Sequence, residues 1–425
     1  MLLLSPLLAA VVLGGVQNQE SLYAKLVPNP TGKNAYEDYL RAGDLVGPDQ
    51  WSKYETWLGF KMRQSQEHLS YDEAPEVPPG VSPDMPDLLV RRVANERFGG
   101  VVDIVRVGNE KASYDPRNAY KFDTGLPELA RFRTLAKIDL NRAQVEFADG
   151  HSRQAVSDLL EGITFSQKIF GSILISSLVS VGNQAIALSG IQAHLGQLSY
   201  DDAKLIDKRS QEMIETPLPA AVVYRNEFAM MVNDLDKLID TPSLVLSDGN
   251  TEMYGAALKS MNPTDRIQLK TMVSQSLQQR CGEAAERMSG PESGWLVKGP
   301  AEDPTPIPND MSVSNLALVL VNALEGKGLQ RQYAQAIAKG RIQLRLLRLN
   351  AKVIEYHWLN NRWPTKMEEF AGKETAFDPF EGRPFHYEVK DNGYRLYSLG
   401  VPGLGPVELK YRPMAAQQST ESGHP

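Results

Sequence analysis

Cysteine is almost absent from this chain. Cys281 is the single cysteine among 425 residues, so the chain cannot form an internal disulfide or a zinc cluster built on cysteines. In the segment SLQQRCGEAAERM we interpret it as a small apolar residue on a helix face rather than as a reactive thiol. With 42% hydrophobic residues, the chain can bury a large core without covalent or metal staples.

Runs of basic residues are also lacking. The net charge is −7, and acidic and basic side chains are mixed along the chain. A protein that binds nucleic acid or anionic lipid through its charge needs a basic surface. The composition therefore predicts no nucleic-acid partner.

Common catalytic and cofactor motifs are missing as well. The sequence has no HExxH, Walker A, GxGxxG or GxSxG pattern. The histidines, none of which lie at metal-ligand spacing, are His68, His151, His194, His357, His386 and His424. The glycine-rich GVPGLG of residues 400–405 is not followed by a helical segment, so we interpret it as a turn. The sequence therefore assigns no catalytic residue, no cofactor site and no metal site, and we expect no cofactor.

The first residues form an uncharged apolar run, MLLLSPLLAAVVLGGV. Its length suits the core of a signal peptide better than a membrane span, which needs about 20 residues. We predict that residues 1–16 are an export signal or a short uncleaved anchor. We also predict a periplasmic or envelope-associated location in a bacterium, with membrane contact only through this segment if it is uncleaved.

Helical periodicity dominates most of the chain. One predicted helix face consists of Phe132, Ala136, Leu140, Ala143 and Phe147. Gly150 is placed to end that helix, and a second helix follows it. A long helix with an apolar stripe from Ile342 to Val353 ends at Pro364. The predicted fold class is mainly α, with stacked antiparallel helical hairpins and a small C-terminal α+β module.

Two segments depart from simple amphipathic helices. Residues 169–192 carry no formal charge and are long enough to span a bilayer. Asn183 and Gln184 lie at their centre and no aromatic belt flanks them, which favours the central helix of a bundle over a membrane helix. Residues 101–107, VVDIVRV, indicate a short strand.

The C-terminal segment DPFEGRPFHYEVKDNGYRLYSLG predicts a turn followed by a β-hairpin. Asp378 and Pro379 favour a turn, and Gly382 supplies the positive φ that closes it. The DNG sequence at residues 391–393 is the strongest short-range hairpin signal in the chain. The aromatic face of this hairpin must pack on a neighbour, and the preceding long helix is the nearest candidate.

Two registers of the hairpin stay open. A two-residue turn at Asn392-Gly393 pairs Val389 with Leu396, whereas a three-residue turn pairs Tyr387 with Tyr397. The two-residue turn also places two basic side chains opposite each other, which is unfavourable.

The order of motifs in residues 341–403 resembles the C-terminal half of the type II secretion major pseudopilin. The matching residues are Tyr356, Asn361, Arg362, Trp363 and Pro364, then Asp378, Pro379, Gly382, Pro384 and Tyr387, then the LYSLG of residues 396–400. The resemblance implies a small α+β head. Pseudopilins hold calcium in an acidic loop after this strand, but here Glu408 is the only acid, too few oxygen ligands for the ion. The whole chain also resembles large exported bacterial helical proteins that end in this module.

Several side chains are candidates for chemistry or binding. The C-terminal carboxylates are Asp378, Glu381, Glu388 and Asp391. For these we expect that the aspartates form turns and that the glutamates are solvated, rather than that they act as acid and base. Arg225 and Glu227 are expected to form a partly buried polar pair.

The segment YHWLNNRWP groups aromatic side chains at the end of the long helix. They are Tyr356, His357, Trp358 and Trp363. A cap over the hairpin core is the favoured interpretation, with an aromatic binding surface as the alternative.

Proline-rich segments and composition divide the chain into five predicted parts. These are the signal or anchor 1–16, an N-terminal helical segment with long loops 17–125, a helical-hairpin domain 126–312, the long helix with the pseudopilin-like hairpin module 313–413, and a disordered tail 414–425.

The function predicted from these features is that of an exported, non-catalytic protein of the envelope or periplasm. It would bind an envelope protein through the hairpin edge, and its partners would include secretion or pilus-like machinery. Two alternatives stay open: an exported hydrolase whose site is assembled from residues distant in sequence, and a pseudopilin-derived filament component.

Overall fold

The computed structural model describes most of the chain between residues 21 and 413. The described ranges are 21–47, 50–67, 74–117, 119–121, 123–296, 310–324, 329–390, 393–401, 405–411 and residue 413. The predicted export segment 1–16 and the predicted disordered tail 414–425 lie outside these ranges.

The described part of the chain is mainly α-helical. Helices account for 70% of the structure, and a small sheet region lies near the C-terminal end. The helices are α1 (Leu22–Leu26), α2 (Ala35–Val46), α3 (Gln50–Glu67), α4 (Asp87–Phe98), α5 (Gly100–Asn109), α6 (Pro127–Ala148), α7 (Ser152–Lys168), α8 (Leu174–His194), α9 (Tyr200–Glu215), α10 (Ala220–Asn233), α11 (Leu235–Asp240), α12 (Asp248–Lys259), α13 (Pro263–Ser289), α14 (Val313–Leu324), α15 (Leu329–Asn360) and α16 (Lys373–Ala376). The predicted fold class, mainly α with a small C-terminal α+β module, is confirmed.

The N-terminal helices pack around aromatic rings. Helix α2 contacts α5 and α6. The ring of Tyr36 meets Phe132 edge-to-face at 5.2 Å, and Tyr39 meets Phe165 at 4.7 Å. Such pairs add to the free energy of burial, and these two join α2 to α6 and α7.

Helix α5 occupies the segment for which the sequence indicated a strand at residues 101–107. Val101, Val102 and Val105 are buried, which is helical rather than alternating spacing. They lie where α5 packs against α2 and α7. Their burial in this position outweighs the β-propensity of the valines, so the strand prediction is wrong.

Helices α6 and α7 form the predicted antiparallel hairpin. Gly150 adopts a φ of +80° directly after α6, a backbone conformation that glycine adopts without strain. The N–H of His151 then donates to the carbonyl of Glu146 at 2.9 Å. Ala155 is fully buried in α7, so the small side chain lies in the packed part of the hairpin.

Helix α8 lies within the bundle, where it packs against α6, α7, α10 and α15. Its polar side chains donate to backbone carbonyls of three neighbours: Ser180 to α7 at 2.6 Å, Asn183 to α6 at 3.3 Å and Gln184 to α15 at 2.9 Å. Residues Leu174–Gln197 are long and apolar enough to cross a membrane, and 56% of the most apolar window is buried. These contacts favour the interpretation as a buried helix.

Helix α15 forms the wall between the helical body and the C-terminal module. Its fully buried side chains include Ile342, Leu346, Leu347, Leu349 and Val353. They pack against α9 on one side and strand residues of the module on the other. Arg348 and Lys352 each lie 2.8 Å from Asp207 of α9, which adds charged contacts along the same seam.

The C-terminal module contains two small antiparallel sheets. Strands β1 (Phe377–Asp378) and β2 (Arg383–Pro384) form one, and β3 (His386–Lys390), β4 (Gly393–Val401) and β5 (Gly405–Glu408) form the other in the order β3-β4-β5. The long central strand β4 packs on α15, as the aromatic pattern predicted.

The hairpin adopts neither of the two registers that the sequence left open. Lys390 pairs with Gly393 and Val389 with Tyr394. This register places Glu388 opposite Arg395, so opposite charges face each other across the strands. Both predicted registers are therefore wrong.

The hydrophobic core is continuous between the body and the module. One cluster contains residues of α6, α7, α8, α9, α15 and the C-terminal sheet, among them Ile163, Ile206, Leu349 and Leu396. A separate cluster is built mainly from α11, α12, α13 and α14. The predicted domain boundaries at residues 126 and 313 stay a prediction.

Candidate functional site

A cleft of about 190 Å³ opens where the helical body meets the C-terminal module. It lies between the last turn of α15, the turn at residues 195–198 that follows α8, and the end of the module. The lining residues are Leu195, Gly196, Leu198, Ile354, His357, Trp358, Asn361, Trp363 and Tyr411. Most of them are aromatic or aliphatic, and among the described residues the lining contains no aspartate, glutamate, lysine or arginine.

Trp358 forms the exposed side of the cleft. It is 58% exposed, and the adjacent Leu359 is 69% exposed. The indole Nε1–H donates to the carbonyl oxygen of Leu198 at 3.1 Å. Because this bond fixes the orientation of the ring, an aromatic surface is held open to solvent at the end of α15.

Trp363 forms the inner wall of the cleft. Its ring stacks on His357 with centroids 3.9 Å apart and an interplanar angle of 11°. It also contacts the rings of Tyr394 at 5.3 Å and Tyr411 at 5.1 Å. Trp363 and His357 thus cap the hairpin core, as predicted, whereas Trp358 departs from that cap and faces solvent.

The imidazole of His357 has one nitrogen that the protein leaves without a partner. Within the described part of the chain, the buried Nδ1 atom has no hydrogen-bond partner. This face of the ring is therefore held by its stacking on Trp363 and not by a hydrogen bond at Nδ1.

The residue that follows α15 has a left-handed backbone conformation. Asn361 has a φ of 50°, which asparagine tolerates better than most residues. Glu369 holds the following turn, because its carboxylate accepts hydrogen bonds from Thr365, Tyr356 and Arg362. These bonds keep the pKa of the Glu369 carboxyl well below its usual range, and the bond from the Thr365 hydroxyl has the largest effect.

A buried hydrogen bond ties the hairpin to the helix that carries the cleft. The Tyr394 hydroxyl donates to Oδ1 of Asn350 at 2.7 Å, and Nδ2 of Asn350 donates to the carbonyl of Leu346 at 2.7 Å. Both Tyr394 and Asn350 are buried. The inner wall of the cleft therefore rests on a fixed contact between β4 and α15.

A group of buried charged side chains lies elsewhere, between α5, α6 and α7. Asp158 is paired with Arg106 and with Arg142, the latter at 3.0 Å. Asp139 has no hydrogen-bond partner for either carboxylate oxygen among the described residues. Its burial, and secondly the charge of Asp158, raises the pKa of Asp139 well above the ordinary value.

The space beside Asp139 is too small for a substrate. A cavity of about 10 Å³, lined mainly by apolar side chains of α5, α6 and α7, adjoins the carboxyl. This volume is about what a single water molecule needs. The raised pKa of Asp139 therefore reflects a buried carboxyl in a helix interface rather than an accessible acid.

Glu227 caps a helix instead of pairing with Arg225. The Glu227 carboxylate is buried and accepts a hydrogen bond from the backbone N–H of Leu174, 3.2 Å away at the start of α8. Burial raises its pKa to about 7. Arg225 is exposed, because residues two apart lie on different sides of a helix. The predicted polar pair is wrong.

The C-terminal carboxylates have structural partners. Oδ1 of Asp378 accepts from the N–H of Phe380 at 2.9 Å, and Gly382 has a φ of +74°, which confirms the predicted turn. The Glu381 side chain is only 6% exposed and accepts from Ser398 and from the backbone N–H of Leu399. The expectation that Glu381 is solvated is wrong, since it joins the turn to β4.

Three candidate residues remain: Glu388, Asp391 and Cys281. Glu388 is partly exposed, with its carboxylate 2.8 Å from the hydroxyl of Tyr397. Asp391 lies outside the described residues. Cys281 is 4% exposed in α13, which confirms its interpretation as a small apolar residue on a helix face.

The described histidines are dispersed. His194 stacks on Phe147 at 3.8 Å and His386 on Tyr397 at 4.9 Å. Within the described ranges, no group of three or more histidine, cysteine, aspartate or glutamate side chains is arranged to hold a metal ion. His68 and His424 lie outside those ranges.

Comparison with known proteins gives no relative for this chain: no protein-family model, curated protein or solved structure matches it. The resemblance of residues 341–403 to the pseudopilin head therefore stays a prediction.

The aromatic pattern of the sequence identified three of the nine lining residues of the cleft. It singled out His357, Trp358 and Trp363 as an aromatic group, with a binding surface as the alternative interpretation. It missed residues 195–198 and Tyr411, which are distant in sequence and reach the cleft only through the packing of α8 and the module against α15. The residues 195–198 carry no local signal beyond a turn.

Proposed function

We propose that this chain is a non-catalytic binding protein of the bacterial cell envelope, and that the cleft beside Trp358 is its recognition site. The observation that carries the proposal is an aromatic ring that is 58% exposed yet fixed by a hydrogen bond to Leu198. Rigid, partly exposed tryptophan is typical of binding surfaces. Leu359 beside it enlarges the exposed apolar area.

The chemistry of the cleft supports binding rather than hydrolysis. General acid–base catalysis needs titratable groups within hydrogen-bond reach of a reacting atom. The lining offers one imidazole and one phenol among aliphatic, aromatic and amide side chains. Two of the buried carboxyls with raised pKa values, Asp139 and Glu227, are not among the lining residues and lie in helix interfaces.

The predicted export segment and the resemblance to the pseudopilin head support an envelope location. The same resemblance motivates the proposal that the partners include components of secretion or pilus-like machinery. The alternative of a filament component depends on a projecting N-terminal helix, and residues 1–20 lie outside the described ranges.

Affinity purification from the native bacterial envelope tests the proposed function. The full-length protein and the variant Trp358→Ala are compared with Ile267→Ala, in which a residue of α13 that is 67% exposed is truncated. We expect the wild type and Ile267→Ala to retain the same envelope component and Trp358→Ala to lose it. Equal recovery by all three proteins would place recognition elsewhere.

A further inference from the structure

We propose that the cleft binds one ring of a neutral saccharide of the cell envelope. This inference rests on the proposed function, because it names the class of ligand for the same site. It follows from the charge of the lining, from the fixed ring of Trp358 and from the donors at the rim.

The lining favours a ligand without charge. An anionic ligand is normally met by arginine, lysine or a helix N-terminus, and a cationic one by a carboxylate. None of those charged residue types lines the cleft within the part of the chain that the structure describes. The carboxylate of Glu369 already accepts four hydrogen bonds, from Tyr356, Arg362 and both the hydroxyl and the backbone N–H of Thr365.

The aromatic lining of the cleft suits the apolar face of a sugar ring. A pyranose has an apolar face of C–H groups and a rim of hydroxyl groups. The face of an aromatic ring carries negative partial charge and attracts C–H groups, and Trp358 supplies such a ring in a fixed orientation. The cleft has a volume of about 190 Å³, which suits a single ring.

Hydroxyl groups of the ligand would find partners at the edge of the cleft. The exposed Asn361 carboxamide offers two donors and one acceptor. A few directed polar groups around an apolar surface are the usual composition of a small-molecule site.

Two other ligands of aromatic clefts fit less well. Proline-rich peptides dock in aromatic-lined grooves, but here the Nε1–H of Trp358 is not free for a peptide carbonyl because it donates to Leu198. An aromatic cage for a quaternary ammonium needs several ring faces around the cation. Here one face of Trp363 is covered by His357 at 3.9 Å.

The test is a titration of the full-length protein with neutral N-acetylglucosamine and glucose oligomers, followed by calorimetry. Glucuronate-containing oligomers of the same length are the charged comparison. We expect a neutral series to bind, the affinity to be unchanged between low and high salt, and Trp358→Ala to weaken it at least tenfold. Asn361→Gly, which keeps the left-handed backbone and removes the carboxamide, should weaken it several-fold.

Ile267→Ala is the control, because this residue of α13 is 67% exposed and does not line the cleft. Its affinity should equal that of the wild type. Circular dichroism of each variant checks that the fold is retained. If Trp358→Ala unfolds, the affinity of Asn361→Gly tests the site instead.

The outcomes separate the two proposals. If no neutral oligomer binds, or if glucuronate oligomers bind more tightly, the saccharide inference is overturned. If at the same time Trp358→Ala still loses an envelope component that Ile267→Ala retains, the proposed function stands with a different ligand. If neither saccharide nor envelope component depends on Trp358, both proposals fail.

Discussion

Single polar side chains in apolar surroundings connect the parts of this protein. The buried hydroxyl of Tyr394 donates to Asn350, and thereby links β4 to α15 directly behind the cleft. Such a bond contributes modestly when made, but leaving one partner unsatisfied costs the desolvation of that group. The module is therefore sensitive to the loss of a single oxygen atom at this position.

Tyr394→Phe should lower the free energy of unfolding by about 1–2 kcal/mol, because Oδ1 of Asn350 loses its buried donor. Urea unfolding monitored by circular dichroism measures the change. Tyr397→Phe is the control: this ring lies on the outer face of the same strand, and its hydroxyl bonds the partly exposed Glu388. A cost for Tyr397→Phe equal to that for Tyr394→Phe would contradict the account.

The buried carboxyl of Glu227 makes stability depend on pH. Its pKa is about 7 in the folded protein, against an ordinary value of 4.5, because burial disfavours the charged form. Between these two values the folded state binds a proton that the unfolded state has released. The contribution of Glu227 to stability is therefore most favourable below about pH 4.5, falls as the pH rises through this window, and is constant above about pH 7.

Glu227→Gln should remove this dependence, since the amide has no charge to desolvate. Relative to the wild type, the variant should gain on the order of 3 kcal/mol of stability between pH 4.5 and pH 7.5. Thermal unfolding across this pH range measures the difference. The exposed Glu368, changed to Gln, serves as the control, and a difference curve that is flat with pH for Glu227→Gln would refute the interpretation.

At the level of elements, helix α8 shows how close packing depends on small residues. A Cβ atom at Gly190 would lie 2.7 Å from Cδ1 of Leu140 in α6 and 2.9 Å from Cδ1 of Leu159 in α7. Gly182, two turns earlier in the same helix, has no atom within 4 Å of such a Cβ. The two glycines therefore have different roles within one helix.

Gly190→Ala should destabilise the protein by about 1–3 kcal/mol, because the added methyl group overpacks the contact of three helices. Gly182→Ala should be neutral or stabilising by about 0.5–1 kcal/mol, because alanine has the higher helix propensity. Melting temperatures of the two variants give the comparison directly. A loss of stability in Gly182→Ala, or none in Gly190→Ala, would show that α8 packs differently.

The elements also show which sequence patterns were decisive. The hairpin of α6 and α7 was predictable because Gly150 and a long amphipathic stripe both pointed to it. The segment 101–107 was not, because its valines satisfy a strand pattern and a helix pattern, and burial against α2 and α7 decides between them. The hairpin register was missed because pairing of Glu388 with Arg395 and burial of Tyr394 select it, and neither follows from turn chemistry alone.

At the scale of the whole molecule, the C-terminal module and the helical body share one hydrophobic cluster. Leu396 of β4 belongs to the same cluster as Ile206 of α9 and Leu349 of α15. Helices α11 to α14 are centred on a different cluster. The module is therefore expected to unfold together with α9 and α15, although the sequence pattern predicts that residues 313–413 form a part separate from α9.

Leu396→Ala should cost about 2–5 kcal/mol through the cavity that it leaves. Native-state hydrogen exchange should show a similar loss of protection in β4, α9 and α15. Amides of residues 269–277 in α13, whose buried side chains lie in the other cluster, are the internal control and should change less. A loss of protection confined to the strands would mean that the module is an independent unit.

The cleft itself belongs to this largest scale, since it arises only when the end of α15, the turn after α8 and Tyr411 are brought together. The most direct measurement replaces the five tryptophans of the chain with 5-fluorotryptophan and follows their ¹⁹F resonances while a soluble extract of the cell envelope is added. We predict shifts for Trp358 and Trp363, with Trp51, Trp57 and Trp295 unchanged. Unchanged signals from Trp358 and Trp363, or shifts of all five alike, would contradict a binding site in the cleft.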